Sequence, residues 1–88
     1  VLDHINSSTA DRITAHVQKL LAKRSIDRAV RRDDDLTDSG LSSLDTVNLM
    51  LAIEAEFDVK IPDRDMTPGN FRSIARIEAL VACLLENA

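Results

Sequence analysis

Eighty-eight residues make one small domain, with room for a modest core and none for a large enzyme cleft. Phe57 and Phe71 are the only aromatics, so the core is aliphatic, and two glycines with two prolines favour helices over a turn-rich sandwich. The net charge is −4, Cys83 has no second cysteine to pair with, and no apolar run or basic-then-apolar leader suggests a membrane or an export route; a cytoplasmic monomer is expected.

Charge is unevenly spread. Residues 1–32 hold seven Lys/Arg and three Asp, a balance of +4, while residues 33–88 hold four Lys/Arg and twelve Asp/Glu, a balance of −8. The basic cluster Lys19, Lys23, Arg24, Arg28, Arg31 and Arg32 has no interleaved aromatics and runs into Asp33-Asp34-Asp35, so nucleic acid is a poor candidate partner. An acidic portion of this kind is either a solvated face or a surface that steers toward basic partners.

Ser8, with Asp11 three residues on, predicts the start of a first helix. Ile13, Val17, Leu20 and Leu21 then form one apolar stripe. The periodicity fades after Arg24, and Ser25–Asp38 reads mostly as loop, a connection long enough to need a functional reason. A second helix is predicted from about Leu44 to Glu56, with Ser42 as N-cap and Asp45 as the acidic member of the capping pattern. Val47, Met50, Ile53 and Phe57 are expected to face inward, and Asp45, Asn48, Ala52, Ala55 and Glu56 largely outward. Pro62 stops the extension that follows.

Pro68-Gly69-Asn70 marks a turn within Asp63–Arg72, where a short helical turn also fits. A last helix follows Ser73, with Ile74, Ile77, Leu80, Val81 and Leu84 on one face and Cys83 expected as a small buried residue. None of these helices is stable alone, so packing of the three stripes must hold an all-α bundle together.

The stretch Asp38-Ser39-Gly40-Leu41-Ser42-Ser43-Leu44-Asp45-Thr46-Val47 is a turn running into an amphipathic helix. It places a serine hydroxyl at a helix start, where unbonded N–H groups and the dipole favour an anion. Over roughly residues 10–86 the chain resembles the acyl carrier proteins, whose site generally reads Asp-Leu-Gly-Ala-Asp-Ser-Leu-Asp before an acidic helix. The resemblance implies a three-to-four-helix bundle with a long first loop, occupying residues 1–88 as one domain. It also implies that Ser43 carries 4′-phosphopantetheine, donated by coenzyme A through a phosphopantetheinyl transferase. Ser43 precedes Leu44-Asp45-Thr46-Val47 in the family's register; Ser39 lies before the turn, and Ser42 is better used as a cap.

The terminal thiol of such an arm would hold cargo as a thioester, so the domain would not itself be an enzyme. The resemblance implies a carrier of acyl intermediates for fatty-acid, lipid or secondary-metabolite synthesis. The alternative is an aminoacyl or peptidyl carrier loaded by a separate ligase. Ser42 stands where housekeeping carriers usually have Asp, and Asn48 and Ala55 stand where they often have Glu, which resembles specialised carriers more. Partner contacts would fall on Asp38, Leu44, Asp45, Asn48, Leu51 and Glu56; for Leu44 and Leu51 the other reading is core packing.

Two rival chemistries are weaker. A nucleophilic Ser43 needs a positioned base, and neither His4 nor His16 has a spacing that commits it. Asp35, Thr37, Ser39, Gly40, Ser43 and Thr46 fall in a calcium-loop register, but Thr46 replaces the bidentate Glu and only Asp35 is a carboxylate. An unmodified helical adaptor fits everything except the surroundings of Ser43.

Overall fold

Capping serines open the long helices. In this computed structural model, which describes residues 8–86, Ser8 Oγ accepts the Asp11 N–H at 3.0 Å and helix α1 runs from there as Thr9–Lys23. A four-residue helix α2 (Leu36–Ser39) is capped by Asp35, whose carboxylate accepts the Thr37 and Asp38 N–H groups. Helix α3 spans Ser43–Phe57, and helix α4 spans Ile74–Glu86 with the Arg76 N–H donating to Ser73 Oγ. Two 3-10 turns, Asp63–Asp65 and Pro68–Phe71, connect α3 to α4. Among the described residues there is no strand, and no helix is long and apolar enough to cross a membrane.

The three stripes meet in one aliphatic core. Ile13, Val17 and Leu21 of α1 pack with Leu49, Ile53 and Phe57 of α3 and with Ile74, Ile77 and Val81 of α4; Leu36, Leu41, Ile61 and Phe71 close the ends. Each of these side chains stabilises the fold by roughly 1.5–3 kcal/mol relative to exposure, which offsets the cost of ordering the helices.

The long first connection is mostly loop, as its sequence predicts, with the short α2 at its end, and its backbone is pinned at several points. The Leu36 N–H donates to the Arg72 carbonyl at 2.8 Å, and the Ala75 N–H donates to the Arg32 carbonyl at 3.0 Å. Ion pairs Arg32–Glu78 and Arg72–Asp35 reinforce this attachment to the α4 end. Gly40 ends α2 at φ +125, and a Cβ there would lie 2.5 Å from Ile26 Cδ1. The positive φ of the turn therefore requires glycine, and a side chain there would also have to displace the end of Ile26.

Four inferences from periodicity need correcting. Val47 is 49% exposed instead of inward, and Leu49, fully buried, takes the central place on α3. Asp45, expected outward, is buried at 7% exposure. Cys83 is exposed instead of buried, because it stands two residues from Val81 and faces away from the core. Glu56, expected largely outward, is half-buried. On α3 the cause is composition: apolar residues lie almost all round the helix, so the period alone cannot assign its inner face.

Candidate functional site: a serine at the first turn of α3

Three serines surround the start of α3, and the structure gives each a different role. Ser39 is buried, and its hydroxyl donates to the Asp35 carbonyl at 3.0 Å. Ser42 is the N-cap: Oγ accepts the Asp45 N–H at 3.2 Å and donates to Asp45 Oδ2 at 3.0 Å. The Ser42 N–H donates to the same Oδ2 at 2.9 Å, completing a capping box. Ser43 is the first residue of α3 and is exposed, and among the described residues nothing bonds its hydroxyl.

Asp45 explains its own burial. Arg24, the C-cap residue of α1, places Nε 2.5 Å from Asp45 Oδ2 and donates through Nη2 to Ser42 Oγ at 3.1 Å. The Arg24 guanidinium, followed by the Ser42 N–H, holds the Asp45 carboxyl below its ordinary pKa against the opposing effect of burial. The end of α1 is thereby fastened to the start of α3, directly before Ser43. Sequence reasoning missed Arg24 as part of the site, since only the fold brings it beside residues 42 and 45.

Beside Ser43 lies a groove of about 610 Å³ between α3 and the two 3-10 turns. Leu41, Val47, Met50, Met66 and Pro68 give it apolar walls, and Thr37, Ser42, Ser43 and Thr46 complete its lining. Val47 lines this groove, which accounts for its exposure.

The other expected contact residues separate into two groups. Leu44 is 67% exposed and Leu51 55%, with Asn48 exposed between them, so neither leucine packs in the core. Asp38 is exposed on α2, its carbonyl 3.4 Å from Arg28 Nη1. Asp45 and Glu56 are engaged within the fold, which corrects their placement on an open outer face. Glu56 Oε2 accepts from Arg12 Nε at 2.8 Å, and Oε1 lies 2.8 Å from His16 Nε2. His16 and Arg12, in that order of effect, lower the Glu56 pKa. This cluster sits toward the far end of α3, about 20 Å along the helix from Ser43. His16 thus serves Glu56 and not Ser43, and His4 lies outside the described residues. Asp35, the one carboxylate of the calcium-loop register, caps α2 and pairs with Arg72.

A family described as a phosphopantetheine attachment site matches residues 11–84. The chain belongs to this family of phosphopantetheine-binding carrier proteins. It is 40% identical over 83 residues to aminoacyl carrier protein 1 of Bradyrhizobium diazoefficiens, a match covering 94% of this chain and 92% of that one. Aminoacyl carrier protein 2 of the same organism is 39% identical over 71 residues, covering 81% and 80%. The fold matches a chain in the crystal structure of Bradyrhizobium japonicum glycine:[carrier protein] ligase complexed with glycylated carrier protein, with a TM-score of 0.76 at 38% identity. That match covers 82% of this chain and 96% of the other.

The cofactor of this carrier domain is covalent 4′-phosphopantetheine. The geometry fits such a group: an exposed hydroxyl stands at a helix N-terminus, where a phosphodiester's charge is favourable, beside a groove able to shelter an aliphatic chain.

Proposed function

We propose that this carrier domain holds an amino acid as a thioester on a 4′-phosphopantetheine arm attached to Ser43 Oγ, and presents it to partner enzymes. The observation that carries the assignment of Ser43 is the division of labour among the serines. Ser39 is buried in a backbone bond and Ser42 is engaged in the cap, which leaves Ser43 exposed at the helix start. When bound, the arm supplies the thiol; the residues of this chain fix its root, favour its phosphodiester charge and offer a docking surface.

The aminoacyl reading is favoured over fatty-acyl cargo by the likeness to aminoacyl carriers and to a carrier seen with its glycine ligase. On this account the partners are a phosphopantetheinyl transferase, which uses coenzyme A, and an amino-acid-activating ligase. One observation favours a second reading: the apolar groove beside Ser43 has room for a larger acyl chain. Fatty-acid, lipid or secondary-metabolite cargo is therefore the competing case.

The experiment is loading of the pantetheinylated chain with ATP, labelled glycine and the Bradyrhizobium japonicum ligase, run beside an acyl-ligase reaction with labelled fatty acid. The expected result is one hydroxylamine-labile glycyl group per chain and negligible fatty acylation. Fatty acylation without glycylation would reverse the assignment of cargo.

A further inference from the structure

All three carboxylates of α3 are engaged within the molecule. Asp45 is held by Arg24 and Ser42, Glu54 Oε2 accepts the Ile61 N–H at 2.7 Å, and Glu56 is held by Arg12 and His16. The outward face of α3 therefore presents Leu44, Asn48 and Leu51 without a disengaged acid among them. Beside that face, a groove of about 320 Å³ separates α1 from α3. Lys19 and Lys23, one turn apart and both exposed, line it from α1, and Asn48 and Ala52 line it from α3.

Among the described residues no carboxylate pairs with either lysine. The cations at the two ends are neutralised, Arg24 by Asp45 and Arg12 by Glu56, and His16 also turns to Glu56. Asp11, the one acid of α1, stands two helical turns before Lys19 and lines with it and Glu56 a neighbouring cavity, not the groove itself. Among the described residues no acid lines the groove, and Lys19 and Lys23 are its fixed charges. The Arg24 contacts set the end of α1 alongside the start of α3, so the lysine-lined groove lies toward the end of α3 that carries Ser43, while Ser43 itself lines the separate groove with Val47 and Met50.

We infer that the α1–α3 groove docks an acidic patch of the amino-acid-activating ligase, with Lys19 and Lys23 as charged contacts and Leu44 and Leu51 as apolar anchors. This rests on the aminoacyl reading above and adds to it the sign of the partner's surface. The chemistry follows from complementarity: unpaired lysines at a rim steer and register a carboxylate-bearing surface, while desolvated leucines supply the contact energy.

The test measures the carrier KM for glycylation of the full pantetheinylated chain by the Bradyrhizobium japonicum ligase. The double variant Lys19→Glu/Lys23→Glu is compared with Arg64→Glu/Arg76→Glu, whose charges lie outside the groove. At low salt the lysine reversal is expected to raise KM about tenfold with kcat within about twofold, and the arginine reversal to leave both unchanged. Added salt should raise the wild-type KM and lower that of the lysine variant, as screening removes attraction in one and repulsion in the other. Unchanged KM in the lysine variant, or an equal rise in the arginine variant, would overturn the docking inference while glycylation itself stands. Absence of glycylation in the wild-type chain would instead overturn the aminoacyl reading and this inference with it.

Discussion

Arg24 Nε lies 2.5 Å from Asp45 Oδ2, joining the last turn of α1 to the first turn of α3. Asp45 at the same time completes the capping box with Ser42. One carboxylate thus secures two helix ends and leaves the neighbouring Ser43 hydroxyl unbonded and exposed among the described residues. The root of the proposed arm is positioned by the hydrogen bonds of its neighbours.

Asp45→Ala is expected to cost about 1–3 kcal/mol, the loss of a cap together with a partly buried charge-assisted pair. Arg24→Gln should cost less, about 0.5–1 kcal/mol, because Arg24 is half-exposed and the Ser42 contacts to Asp45 survive. Urea denaturation of both variants checks the order; equal losses would show that the ion pair, and not the cap, dominates.

Acid should weaken the fold in a defined window. Asp45, Glu56 and Asp35 all have pKa values lowered in the folded state, Asp45 chiefly by Arg24, Glu56 by His16 and Asp35 by the Asp38 N–H. A carboxylate with a depressed folded pKa contributes stability above its unfolded value, near 4, and loses it as pH falls through the folded value. Urea midpoints should therefore hold between about pH 7 and 5 and drop below about pH 4, less steeply in Asp45→Asn. A flat profile across that lower range would contradict the assigned contacts.

Leu49 and Leu51 provide an internal contrast two residues apart. Leu49 is fully buried and Leu51 is 55% exposed. Leu49→Ala is expected to cost about 2–5 kcal/mol of stability, whereas Leu51→Ala should change it by less than about 0.5 kcal/mol. Leu51→Ala, and Leu44→Ala with it, should instead raise the KM for ligase loading about fivefold or more. Thermal melts and loading kinetics separate the two effects.

Much of this arrangement was legible in the chain because its signals are local. Ser8, Ser42 and Ser73 open the three long helices, and the stripes of α1 and α4 face the core where their spacing places them. The inner face of α3 was not legible, since Leu44, Val47, Leu49, Met50 and Leu51 carry apolar surface around most of the helix. Which of them is buried depends on where α1, α4 and the 3-10 turns lie. The pairing of Arg24 with Asp45, 21 residues apart, and of Glu56 with Arg12 and His16 is likewise a product of the fold. The basic cluster was visible as composition, but which of its cations remain unpaired was not.

Gly40→Ala tests the long connection. The new methyl would meet Ile26 Cδ1 at 2.5 Å while the backbone is held at φ +125, so a loss of about 1–3 kcal/mol is expected. Adding Ile26→Ala should restore only part of it, because relief of the contact leaves the backbone strain in place. Full restoration in thermal denaturation would assign the whole effect to the clash.

The most direct test of the central claim is intact mass after incubation with coenzyme A and a broad-specificity phosphopantetheinyl transferase, with Ser43→Ala and Ser42→Ala alongside. The account predicts a single phosphopantetheine on the wild-type chain, none on Ser43→Ala, and retained addition on Ser42→Ala. Addition that persists in Ser43→Ala would contradict it and move the arm to another serine.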